Sequence, residues 1–241
     1  MIKSIKTIMR QDREPYRIPR RVQDVIPIQC VWPDGIFKVG IKFSKTYRFT
    51  DINYKVASRE DKETMFLAYS ELLNGLDSAA TTKLTICNRR QSQADFEQSV
   101  LMAMRGDGLD KYRKEYNQML IDKATGANGI IQEKLVTVTV YKRDIEDARA
   151  YFTRIGADLT ARFAALGSKC VELDAADRLR ILHDFYRAGD EGSFHFDMAD
   201  MARKGHDFKD YICPDGIEKH SDYLKLGDRY CRVLFLKDYA N

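Results

Sequence analysis

The run Leu135-Val-Thr-Val-Thr-Val-Tyr141 is the strongest strand signal in the chain and the feature that most limits its fold. β-branched residues are stiff at χ1 and pack best on a pleated, half-buried surface. The chain must therefore build a sheet. A helix pattern follows at once: Ile145, Ala148, Phe152, Ile155, Leu159 and Phe163 recur at helical spacing, and Gly167 stops them. A sheet covered by helices is the simplest structure that buries both patterns.

The remaining elements extend this core. Ile26 to Trp32 and Ile36 to Gly40 read as two strands joined by Pro33-Asp34-Gly35, a turn in which Pro presets φ and Gly accepts positive φ. Phe43, Tyr47 and Phe49 alternate with Lys42, Ser44, Thr46 and Arg48, which predicts a half-buried strand with Lys45 as its exception. Ser58 starts a helix marked by Met65, Tyr69, Leu72 and Leu76, and Thr82 to Cys87 is a strand. A helical turn or two follows from Asp95, and a firmer helix runs through Leu109, Tyr112, Tyr116, Met119 and Leu120. Cys170 to Leu173 is a short strand, and Asp174 caps a helix that reaches Tyr186 before Gly189 ends it. Met198 to Lys204 and Phe208 to Ile212 are short helical stretches. The chain closes with a hairpin, Ile217–Leu224 and Tyr230–Leu236, turned around Gly227-Asp228 and expected to join the main sheet with Val233-Leu-Phe-Leu236 buried. The expected class is α+β, with a mixed, largely antiparallel sheet, hairpins at both ends and a cover of helices. Gly126 to Gly129 could divide two lobes, 25–128 and 129–241. The string Pro-Asp-Gly-Ile-x-Lys occurs at 33–38 and again at 214–219, but unlike flanks favour shared turn chemistry over a repeat.

Charge is unevenly placed. Residues 1–21 carry Lys3, Lys6, Arg10, Arg13, Arg17, Arg20 and Arg21 against Asp12 and Glu14, a net +5, while the rest of the chain nets −1. Pro15 and Pro19 break any helix there, so residues 1–24 read as a basic arm and 25–241 as the α+β body. Ile2, Ile5, Ile8 and Met9 could share one apolar face within the arm. Such an arm suits an anionic surface, membrane or nucleic acid; a solvated tail is the plain alternative. No apolar run approaches the ~18 residues that span a bilayer, and no apolar segment of a secretory signal follows the basic start. Aromatics at 11% exclude wholesale disorder, and 14 Gly with 5 Pro exclude collagen. Five cysteines, Cys30, Cys87, Cys170, Cys213 and Cys231, make an odd count with no C-x-x-C pair. They read as reduced thiols in a cytoplasmic protein.

Motifs for chemistry are sparse. No G-x-x-x-x-G-K-[ST] loop, no G-x-G-x-x-G and no G-x-S-x-G occurs, so no catalytic or cofactor-binding residue is assigned. His183-Asp184 and His206-Asp207, with His195 and His220 nearby in kind, offer the dipeptide that HD-type metal phosphohydrolases use. That fold is all-helical, however, and His183 lies beside the apolar stripe of Leu179, Leu182 and Tyr186. No metal ligand is therefore assigned. Glu172, Asp174 and Asp177 could bind a cation or act as acid and base, but helix capping explains their spacing. Asn88-Arg89-Arg90 at a strand exit could grip phosphate or carboxylate, with a solvated loop as the default.

Several long strings carry a resemblance. They are Val25 to Gly40 (VIPIQCVWPDGIFKVG), Lys42 to Tyr54, Gln132-Glu-Lys134, Gly167 to Leu173, Arg180 to Tyr186 and Lys204 to Tyr211. Together they resemble the start of conjugal-transfer ATPases from mobile elements of Gram-positive bacteria, similar to the VirB-four, TrbE and CagE group of type IV secretion ATPases. In that family the N-terminal region precedes a RecA-like motor that carries the phosphate loop. The resemblance implies a non-catalytic docking domain at the cytoplasmic face of the membrane. Its partners would be cytoplasmic-membrane components of a secretion channel and neighbouring ATPase subunits, with ATP and Mg²⁺ bound only in the motor. A nucleic-acid-binding module using the arm and an HD-type phosphohydrolase are the alternatives.

Overall fold

The structure is a computed structural model that describes residues 19–52, 54–90, 100–126, 130–201, 203 and 205–235. The chain forms two compact units: residues 28–213, and the two flanks 1–27 and 214–241.

In the larger unit, β1 (Cys30–Val31), β2 (Phe37–Val39), β3 (Lys42–Phe49), β4 (Thr81–Arg90), β5 (Ile130–Tyr141) and β6 (Cys170–Glu172) make one sheet. Its order is β1-β2-β3-β5-β4, with β6 pairing β3 as well. Every ladder is antiparallel. The class is α+β, and β5 enters between β3 and β4, so the order is crossed rather than sequential. The first hairpin closes as its turn chemistry requires: the Gly35 N–H donates to the Trp32 carbonyl at 2.9 Å, and Gly35 takes φ +75°.

The helices are α2 (Arg59–Asn74), α3 (Asp110–Gly126), α4 (Ile145–Ala165), α5 (Ala175–Tyr186) and the single turn α6 (Met198–Met201), with α1 (Val22–Val25) in the smaller unit. Ser58, Asp144 and Asp174 each cap a helix, accepting from the backbone N–H three residues on at 3.1, 2.9 and 2.8 Å. Such caps are worth about 1 kcal/mol each.

Strand register sorts the two faces of the sheet. Phe43, Lys45 and Tyr47 pair with Val140, Val138 and Val136, so all six share one face. Phe152, Ile155, Leu159 and Phe163 of α4 bury against that face. Each fully buried side chain of this size contributes about 1.5–3 kcal/mol. Lys45, the exception to the alternation, is buried on this face and pairs with Glu172 at 2.5 Å. On the opposite face the Thr46 and Thr137 hydroxyls meet at 2.9 Å. There α5 is fixed by Arg178, whose guanidinium donates to the carbonyls of Gly35 and Ser44 at 2.6 and 2.7 Å and stacks over Phe37.

The ladder runs straight past the Gly126–Gly129 stretch. β4 and β5, on either side of it, pair over ten residues, so the sheet unites the segments that a boundary at 128 would separate. Residues 91–99 and 127–129, including the turn expected after Asp95, lie outside the described residues.

In the smaller unit, β7 (Ile217–Lys219), β8 (Leu224–Leu226) and β9 (Arg229–Cys231) form their own antiparallel sheet. This corrects the expected single hairpin within the main sheet: Gly227-Asp228 turns β8 into β9, and a second turn at 220–223 separates β7 from β8. The ladder ends at Cys231, so the apolar run beyond it has no described face to pack on. Val233, Leu234 and Phe235 are exposed, not buried. The two Pro-Asp-Gly turns also differ, since Gly216 does not share the left-handed backbone of Gly35.

Candidate docking groove

The sheet face that carries α4 is only half covered. Tyr47, Val136 and Leu84 pair in one row across β3, β5 and β4. Tyr47 and Val136 are buried, yet Leu84 is 56% exposed and Ile86, two residues on, 55%. Helix α2 explains the difference. Its Leu72 is buried, while Tyr69 and Leu73 remain largely exposed. Between α2 and β4 runs an open groove of about 510 Å³ whose floor is Val136 of β5 with Leu159 and Phe163 of α4. That size lies within the range of ligand and peptide pockets. Its polar lining is confined to Thr82 and to Thr50, Asp51, Lys134 and Ser168, where Lys134 and Asp51 pair with each other. Phe66 and Leu67 of α2 add further exposed apolar surface. Water against such walls is displaced favourably by any apolar partner, at about 25 cal/mol per Å² covered. Beyond β4 no described strand completes the ladder, so its outer N–H and C=O groups face outward.

The predicted site residues fall elsewhere. Of the basic arm, Arg20 and Arg21 are exposed, while Lys3, Lys6, Arg10, Arg13 and Arg17 lie outside the described residues. Asn88-Arg89-Arg90 is not a loop but the end of β4, paired with Gln132, Ile131 and Ile130. Arg89 is spent on structure: it lies 3.7 Å from Glu133 and 4.0 Å from Asp184, and Arg48 joins the same group at 3.9 Å from Glu133 and 3.6 Å from Asp177. These pairs tie α5 to β3, β4 and β5. Charges so matched leave little pull for an outside phosphate.

The carboxylate trio also disperses. Glu172 turns to Lys45, Asp174 caps α5, and Asp177 faces Arg48. His183 is fully buried, with Nδ1 3.3 Å from Asp184 and its ring 5.2 Å from that of Phe194. His195 and His206 are exposed. Among the described residues no three His, Cys, Asp or Glu side chains converge as metal ligands do, and no helix is long and apolar enough to cross a membrane. Burial, helped by the charge of Glu172, pushes the Cys170 thiol up to about 11, so it stays protonated and inert at neutral pH. Burial alone holds Arg178 down at about 9, still charged at neutral pH.

The groove itself was faintly legible. Phe66, Leu67 and Leu73 place apolar side chains outside the one stripe that α2 buries, and Leu84 and Ile86 read as core residues of a strand. No protein-family model matches the chain, and no curated protein matches it either.

Proposed function

We propose that this chain is a non-catalytic docking domain of a conjugative DNA-transfer ATPase of the type IV secretion class, and that the α2–β4 groove is its docking surface. The observation that carries the docking reading is the apolar floor of the groove together with Leu84 and Ile86, each more than half exposed above it. Contiguous apolar surface on a soluble domain marks an interaction site far more often than an accident of packing. The strings from Val25 to Gly40 and Lys42 to Tyr54 support the conjugative class. In this reading ATP and Mg²⁺ belong to a motor with its own phosphate loop, and this domain brings that motor to cytoplasmic-membrane components of the channel and to neighbouring subunits.

The test is DNA transfer from the cell that carries the gene to a recipient strain. The Leu84→Asp, Ile86→Asp double variant should lower transfer at least about tenfold at equal protein abundance, the effect of losing ~1.4 kcal/mol of docking energy. Unchanged transfer in that variant overturns the docking surface. Unchanged transfer after deletion of the whole gene overturns the conjugative class.

A further inference from the structure

We propose that the groove of one copy receives helix α3 of a second copy. The inference rests on reading the groove as a docking surface and names its occupant. Along α3, Tyr112, Tyr116 and Met119 stand exposed, and Leu109 stands exposed in the turn before it. Steps of three, four and three residues set these four side chains in one stripe, the pattern with which an amphipathic helix fills an apolar groove. Tyr112 is 65% exposed, a cost no isolated helix needs to bear.

The rest of α3 is held so that the stripe stays presented. Asn117 is buried, and its side-chain amide both accepts from the Met102 N–H and donates to the Met102 carbonyl, each at 2.9 Å. Arg113 pairs with Asp107 and Asp110 at the start of the helix. Arg113 and Asn117 are four residues apart, on a side of the helix about 100° from the stripe. The fastening side and the presenting side are thus distinct.

Charge selects a second copy. Helix α2, one wall of the groove, carries Glu60, Asp61, Glu63 and Glu71 against Arg59 and Lys62, a net −2. Helix α3 carries Lys111, Arg113, Lys114 and Lys123 against Asp110, Glu115 and Asp122, a net +1, and Lys123 continues the stripe four residues past Met119. A basic-ended apolar ridge and an acidic-walled apolar groove on the same chain are complementary in shape class and in sign. Because ridge and groove are different surfaces, each copy offers one of each.

Light scattering on the full chain, at concentrations up to about 100 μM where a micromolar complex is nearly saturated, tests this. The wild-type chain should self-associate. Tyr116→Asp and Leu84→Asp, both at exposed positions, should each be monomeric with an unchanged melting temperature. Mixed, the two variants should regain a complex, since one keeps an intact groove and the other an intact helix. A wild-type chain that stays monomeric, or a mixture that does, overturns the proposal. If the wild-type chain is monomeric while the groove variant still loses DNA transfer, the groove docks another partner: this inference fails and the docking reading stands.

Discussion

His183 shows how a single side chain can imitate chemistry. Its dipeptide with Asp184 has the composition of a metal ligand pair, and the same two residues sit 3.3 Å apart in the structure. Enclosure decides the role. The ring is 2% exposed, packs on Phe194 and lies 3.5 Å from the Ser193 hydroxyl through Nε2. Removing it leaves a cavity and unmet polar neighbours, so His183→Ala should cost about 3 kcal/mol. For a chain of this size that is a fall of roughly 6–12 °C in melting temperature, measured by calorimetry. Titration with Zn²⁺ and Mn²⁺ should give the same result for the wild type and the variant. Stoichiometric metal binding present in the wild type and lost in the variant would revive the phosphohydrolase reading. Lys45 teaches the converse lesson. Alternation places it inward, and its answer, Glu172, is 127 residues away, where no sequence pattern could have found it.

The first hairpin sharpens the argument at the scale of elements. A side chain at Gly35 would be strained at φ +75°, and its Cβ would sit 2.0 Å from the backbone oxygen of Leu173, which follows β6. At Gly40 the backbone is also left-handed, at φ +60°, but nothing lies within 4 Å. Gly35→Ala should therefore cost at least about 3 kcal/mol and Gly40→Ala only about 1, read as shifts in the urea midpoint. Equal shifts would mean that β6 does not pack on the turn. Turn chemistry marked Gly35 in advance, but only the folded chain shows that Leu173 crowds it. The same limit runs through the other elements. β5, α4 and the caps Ser58 and Asp174 were legible because each is fixed by local period or local hydrogen bonds. The end of β4 was not, because Asn88-Arg89-Arg90 has loop composition and becomes a strand by pairing with residues 130–132. The groove stayed hidden for a related reason: periodicity tells which face of β4 is apolar, not whether another element covers it.

At the scale of the whole molecule the charge distribution still demands a partner. A net +5 within residues 1–21 stands beside a remainder of −1, and Arg20 and Arg21 at the end of the arm are exposed. The carboxylate of Asp24 is turned to the backbone N–H of Arg21, at 3.2 Å, where it serves the short α1. Near an anionic bilayer each basic residue contributes on the order of 1 kcal/mol, reduced by salt. Ile2, Ile5, Ile8 and Met9 add a short apolar strip that is too small to anchor the chain alone. Deleting residues 1–21 should leave the melting temperature within about 1 °C, since the described core of residues 28–213 draws no buried residue from that stretch. The same deletion should abolish sedimentation with phosphatidylserine vesicles while leaving the absence of binding to neutral vesicles unchanged. Raising the salt should weaken the intact chain on the anionic vesicles. A truncated chain that unfolds or aggregates would show that the arm packs on the body, and the anchor idea would be lost. An intact chain that ignores vesicles but binds DNA, with affinity falling steeply as salt rises, would assign the arm to nucleic acid instead.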